Sequence, residues 1–259
     1  PWVPRHHTSG SCSRGVCSGI WRTLRFYTQD RCMRLFIYLN VSQGWCIATF
    51  SGDYHRFSVS ALVGVSVQGY AMVAFYLASF VFSYAWGRVI SSGKMSQMQC
   101  LMIATVLNLI FFGLWFSSLG VAARFHFDIG THGWMKIPDR GPPTTWEFVA
   151  IFLGEVLFAS GQSAYLILIG ALVQVIFQDT PYSVEANAAS GLWQALGRSA
   201  QFLVSSLDVD SCRSRVFVSI CLTVLNFRTL KFLDAEQTHK SEEKPAKDSE
   251  AVELEDEII

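Results

Sequence analysis

The chain reads as an all-α membrane protein, and three observations predict it. Residues 57–86 form a run of 30 positions without Asp, Glu, Lys, Arg or His, and residues 95–123 form a second. About 20 helical residues cross a hydrocarbon core about 30 Å thick, so each run is long enough to span a bilayer with some tilt. The 51% hydrophobic content, the 14% aromatic content and the mean hydropathy of +0.32 place the whole chain in the same class.

Residues 1–34 read as a basic leader that begins at Pro1, lacks the layout of a signal peptide and ends in the cluster Arg22, Arg25, Arg31 and Arg34. We expect this end to be truncated. Six apolar segments follow within residues 35–233: 35–51, 57–86, 95–123, 148–178 interrupted by Glu155, 186–207 interrupted by Arg198, and 216–233 with Arg228 and Lys231 near its end. Six spans place both chain ends on one side, and the cations of residues 22–34, Arg88 with Lys94, and Arg228 with Lys231 mark that side as cytoplasmic. The connection 124–147, with Pro138, Gly141, Pro142 and Pro143, reads as an ordered loop on the opposite side.

Zero net charge conceals a division. Residues 234–259 hold ten of the 20 acidic residues and three Lys, and no aromatic residue, which predicts an unordered acidic tail facing the cytoplasm. The seven cysteines show neither zinc-like pairing nor the density of a disulfide framework. His126, Asp128 and His132 fit a solvated loop better than a metal site, and neither a metal nor a cofactor is expected. Nucleotide loops, nucleophile elbows and paired hydrolytic carboxylates are absent, which argues against an enzyme, and nothing points to nucleic acid.

Glu155 and Arg198 are the charges that lie well inside the segments, at depths of roughly 10 and 14 Å from the outer end at 1.5 Å per residue. An unpaired central charge costs on the order of 3 kcal/mol on insertion scales, so the two are expected to meet. Such a pair either fixes the register of two helices or serves a substrate or proton; a wet cavity is the third reading. Gly87, Arg88, Gly93 and Lys94 occupy the turn between the second and third segments, a layout similar to the loop repeated in each half of major facilitator transporters.

Taken together, several stretches resemble the uncoordinated-93 (unc-93) family, a branch of the major facilitator superfamily. They are Asp53, Tyr54 and Arg56 after the first segment; Gly64, Gly69 and Tyr70 in the second; Gly87-Arg88 at its end; and Ala186, Ala188, Leu192, Trp193, Leu196 and Gly197 in the fifth. The resemblance covers about residues 33–230 and implies a six-helix bundle like the C-terminal half of a twelve-span fold, with a first six-helix half missing. Ser79 stands where that family implies an acid, and Gln162 to Tyr165 lie where it implies a polar cavity wall, so Ser79, Gln162 and Tyr165 are cavity candidates. By the same resemblance the chain is a non-enzymatic, multi-pass protein of the plasma membrane or an endomembrane. It would regulate an ion-channel complex or escort membrane receptors, with the lipid bilayer and another membrane protein, or the missing half, as partners. The alternative that fold analogy implies is a proton-coupled transporter of a small solute.

Overall fold

The computed structural model describes residues 30–122, 128–129, 135–136, 144–177, 183–207 and 212–256. Helix α1 (Arg31–Ala48) passes without a break into a π-helical stretch (Thr49–Val59) and a single turn, α2 (Ser60–Val63). Then come α3 (Val65–Ser91), α4 (Gln97–Ala122), the two-residue strands β1 (Asp128–Ile129) and β2 (Met135–Lys136), α5 (Thr145–Phe177), α6 (Ser183–Leu207) and α7 (Cys212–Asp256). The strands pair antiparallel. All else in the described elements is helical.

Short polar signals set the helix starts. Asp30 caps α1 by accepting from the Met33 amide at 2.8 Å. Ser96 and Gln99 cap α4 reciprocally, the Ser96 amide donating to Gln99 Oε1 at 2.9 Å and the Gln99 amide to Ser96 Oγ at 3.1 Å. Thr144 and Glu147 repeat the arrangement at α5, with the Thr144 amide 2.8 Å from Glu147 Oε2. At the other end of α3 the chain turns through Gly93, whose φ of 68° favours a residue without Cβ.

Four helices are long and apolar enough to cross a membrane, in the segments Val65–Ser91, Gln97–Ser117, Thr145–Phe177 and Cys212–Ala235. Of the six expected spans, four meet this requirement among the described residues, while the first and fifth segments, now α1 and α6, are less apolar. The reason lies in the packing. α1 is covered by α6 and α7, so its Asn40, Ser42 and Gln43 are buried against protein instead of lipid. Opposite it, α6 supplies Ser190 and Gln194, both bonded to Asn40 Oδ1, at 2.8 and 3.2 Å.

α7 displays the complementary logic. Arg215, Ser219, Thr223 and Asn226 form its buried stripe, while Phe217, Val224, Leu225 and Phe232 are exposed. A polar stripe thus faces inward beside the buried Val216, Leu230 and Leu233, while much of the outer face is apolar, as expected when the outer solvent is hydrocarbon. Ser42 Oγ meets Asn226 Oδ1 at 2.5 Å and Ser219 Oγ donates to Thr49 Oγ1 at 3.2 Å, so hydrogen bonds join α7 to α1 and to the π-helical stretch that continues it.

Close approach of α1 and α6 depends on two glycines used reciprocally. A Cβ on Gly44 would collide with the carbonyl oxygen of Gln194, and one on Gly197 with that of Val41. Each glycine thus receives the backbone of the opposite helix three residues from the other contact. Without a hydrophobic drive inside lipid, such close packing is the main source of helix association.

Two apolar clusters fill the bundle. One gathers Phe36, Leu39, Leu101, Tyr165, Leu168 and Leu233 toward one end. The other is aromatic and centred on Phe50, which stacks on Phe158 at 4.1 Å and on Tyr54 at 5.4 Å and meets the edges of Phe111 and His55. α3 lies outside both for most of its length and is tied to α5 by the Trp86 indole, which donates to the Ser160 carbonyl at 2.9 Å.

Two expectations from the sequence change. The first segment does not end at residue 51, since helical winding continues through the charged residues to Val63, and the second run is broken at Gly64, where φ is 96°. The acidic stretch after Asp234 continues α7 to Asp256 instead of lacking structure. Its Ala, Glu and Lys residues are strong helix formers and favour extension on both sides of Pro245, which itself supplies no amide hydrogen to the helix. The loop residues His126 and His132, and leader residues 1–29, lie outside the described residues.

Candidate functional site

The π-helical stretch carries the buried charges. Its i to i−5 bonding is visible where the Ser60 amide donates to the His55 carbonyl. π segments inside α-helices recur at functional sites because they re-aim side chains. Here the stretch sends Asp53 toward α6 and α7, and Tyr54 and His55 toward α5, while Arg56 remains exposed with its guanidinium over the Phe57 ring.

Asp53, 1% exposed, is fully engaged. Its Oδ2 accepts from Arg215 Nε at 2.6 Å and Gln201 Nε2 at 2.8 Å, and its Oδ1 accepts from Ser205 Oγ at 3.0 Å and Arg215 Nη2 at 3.2 Å. Four donors fill the roughly four acceptor positions of a carboxylate, and the side-on Arg geometry is the strong bidentate form. This network ties the stretch to two helices at once. Having no acceptor site to spare, it reads as a structural clamp.

His55 and Glu155 form the second buried pair, at 0% exposure each. His55 Nε2 lies 3.1 Å from Glu155 Oε1, and His55 Nδ1 is 3.1 Å from the Phe50 carbonyl oxygen. The contact is an ion-pair distance without hydrogen-bond geometry: His55 Nε2 and both Glu155 oxygens are buried without a hydrogen-bond partner. Beside the pair, Tyr54 donates to the Ile151 carbonyl at 3.1 Å. Its ring passes over Gly154, where a Cβ would meet the phenol.

Glu155 thus takes His55, not Arg198, as its ionic neighbour; the expected Glu155–Arg198 pair is not among the ion pairs of the described residues. Arg198 is half-buried, its Nε has no hydrogen-bond partner, and its backbone nitrogen packs where a Gly44 Cβ would be. The placement of His55 accounts for the difference, because the π stretch carries the imidazole into the bundle and so presents a nearer base than α6 does.

The cavity candidates separate. Tyr165 is 1% exposed and hydrogen-bonds Thr105, joining α5 to α4. Gln162 is 2% exposed and makes no hydrogen bond through either side-chain atom. Ser79 sits on α3, with its hydroxyl buried and unbonded. Two surface pockets lie elsewhere, one of about 390 Å³ at the α3–α4 turn beside Arg88 and Lys94 and one of about 420 Å³ along Phe148, Phe152 and Val156 of α5.

The other motif residues are distributed over the surface and the α1–α6 seam. Gly69, Tyr70, Gly87, Arg88, Gly93 and Lys94 lie on α3 and its following turn, largely exposed. Ala186 is buried, Ala188, Leu192 and Leu196 are exposed, Trp193 packs against the first apolar cluster, and Gly197 meets Val41. Among the described residues, no three His, Cys, Asp or Glu side chains are grouped to hold a metal ion.

His55, Arg215, Gln201 and Ser205 are the site residues that sequence reasoning did not select. A signal for them existed. Asp53 and His55 continue an apolar helix without a break residue, and Arg215 opens another, so both helix ends bring charge to one level of the bundle.

Compared with known proteins, the chain matches no family model, no curated protein and no solved structure. The class that the fold defines is accordingly broad: an all-helical protein with four helices long and apolar enough to cross a membrane.

Proposed function

We propose that the chain is a multi-pass integral membrane protein that works without catalysis, as a regulatory or escorting partner of another membrane protein. This is the role implied by its resemblance to the unc-93 family, as half of a facilitator-like fold. The observation that carries the reading is the exposure of α3. Only 6% of its apolar window is buried, and its outer side presents Tyr70, Tyr76, Phe80 and Tyr84.

Phenolic hydroxyls within an apolar span are poorly served by lipid and are well suited to hydrogen bonds with a neighbouring helix. The buried charges support the same role, since the Asp53 network is saturated and holds the bundle together. The missing six-helix half would be an alternative occupant of the same face.

The test is site-specific photocrosslinking in native membranes. With a crosslinker at Tyr76 or Phe80 we expect a discrete adduct with a channel or receptor subunit, and with one at Val224 of α7 only lipid adducts. Equal adducts at both positions would remove the support drawn from α3. Solute uptake driven by a pH gradient into liposomes holding only the purified protein would refute the partner role and establish the transporter alternative.

A further inference from the structure

We propose that Arg198 is a recognition point for a second membrane protein, the place where the bundle receives a transmembrane helix carrying a carboxylate at its centre. The proposal rests on the reading of the chain as a membrane partner, and it adds the chemistry of the docking helix and a second face, on α6, that receives it.

Arg198 lies at the mid-depth of the bundle. A Cβ on Gly44 would be 3.1 Å from the Arg198 amide nitrogen, so the two residues share one level. Gly44 is bracketed on α1 by Ser42, which meets Asn226 of α7, and by Cys46, whose Sγ is 3.8 Å from Thr223 Oγ1. Thr223 and Asn226 fall near the middle of the apolar span Cys212–Ala235. At 1.5 Å per residue, the Arg198 backbone is therefore roughly 15 Å from either end of that span. An arginine near a helix end snorkels to the surface, whereas one at the centre needs a partner at its own depth.

The bundle supplies none. The guanidinium makes no hydrogen bond or ion pair with a described residue, and its Nε is closed in without a partner. The nearby acids are engaged elsewhere: Asp53 holds Arg215, Glu155 faces His55, and Asp30 and Glu147 cap helices. Glu185, on the same helix, is 13 positions away, roughly 20 Å along the axis.

Arg198 is half-buried, so its side chain reaches the edge of the bundle. The face of α6 that it borders is open. Leu192, Leu196 and Phe202 are exposed there, as are Gly191, Ala195 and Ser199 at four-residue intervals, and those small side chains let an incoming backbone approach closely. Of the groups that neutralise a guanidinium, lipid phosphates stay at the bilayer surface and dissolved anions need a wet path. A carboxylate on another helix arrives at the right depth and offers the bidentate geometry that suits arginine.

The experiment uses the full chain in nanodiscs of zwitterionic lipid. Its probe is a synthetic leucine-rich transmembrane helix with Glu at the centre, whose association is read by fluorescence energy transfer. We expect the Glu-centred probe to bind about tenfold more tightly than the same helix with Leu at the centre. The advantage should vanish in Arg198→Leu and persist in part in Arg198→Lys. A photocrosslinker at Ser199 should capture the probe, and one at Phe217 on α7 should not. Equal binding of the two probes by the unaltered chain overturns the proposal, as does an advantage that survives in Arg198→Leu. Displacement of the probe by acetate would assign Arg198 to small dissolved anions and overturn it equally. Should Arg198→Leu fail to fold, the crosslinks decide, because capture at Phe217 and not at Ser199 places the acid elsewhere. The probe stands in for the natural partner, so the two readings separate: probe binding without any protein adduct from α3 in native membranes removes the partner role alone, and an adduct from α3 without probe binding removes this inference alone.

Discussion

Asp53 and Arg215, 162 positions apart in the chain, meet side-on with Oδ2 2.6 Å from Nε and Oδ1 3.2 Å from Nη2. The contact fastens the π-helical stretch to the first turn of α7, and Gln201 and Ser205 of α6 complete it. Removing one member of a buried pair strands the other, which costs about 3–5 kcal/mol. We expect Asp53→Asn and Arg215→Met each to produce a loss of that order in unfolding titrations in detergent. The double variant Asp53→Leu with Arg215→Met should recover part of it, because no buried charge is left alone. A double loss equal to the sum of the singles would show that the two side chains act independently.

The reciprocal glycines provide a second test with a built-in control. Gly44→Ala and Gly197→Ala each place a methyl group against a carbonyl on the facing helix and force α1 and α6 apart. Overpacking of this kind costs about 1–3 kcal/mol. Gly113→Ala and Gly191→Ala, whose added Cβ would meet nothing within 4 Å, should be neutral or slightly stabilising. Thermal denaturation of the four variants in one detergent makes the comparison.

Tyr54 donates one buried hydrogen bond to the Ile151 carbonyl, and its ring fills the space left by Gly154. Tyr54→Phe removes only the donor and should cost about 1 kcal/mol. Gly154→Ala displaces the whole ring from the aromatic cluster and should cost more. Equal losses in equilibrium unfolding would mean that the ring has another place to go.

Lipid exposure follows from the outward-facing stripes. A photoactivatable lipid should label Phe217 and Phe232 on α7, exposed at 56% and 48%, and spare Phe36 and Phe158, both at 0%. Peptide mapping after illumination reads this directly. Labelling of Phe36 would mean that α1 is not sheathed by α6 and α7.

The apolar helices were legible in the sequence because charge-free runs of 29 and 30 residues exceed what the core of a water-soluble domain ordinarily asks of one helix. So was Glu155 as a buried acid in need of a partner. Its partner was not legible. Asp53, His55 and Arg56 are three charged or basic side chains within four residues, and hydropathy alone places such a cluster at a membrane surface, whereas continued helical winding carries Asp53 and His55 inside. Arg215 lies one residue ahead of the segment 216–233, so hydropathy places it outside the span for the same reason. A hydropathy profile averages along one strand of sequence, while the cost of a buried charge is settled by what another helix supplies at that level. The seam between α1 and α6 escaped notice because glycine contacts leave no hydropathy signature, and of its two glycines only Gly197 stood in a motif.

Gly64 separates two bodies that the sequence writes as one. With a φ of 96° it ends the helix that carries Asp53 and His55 and begins the one that displays Tyr70 to Tyr84. A left-handed glycine joint transmits position but not twist, since neither helix continues the hydrogen-bond ladder of the other. The outer helix is accordingly a replaceable part. Substitutions on its outward face leave the charged interior and its registration untouched.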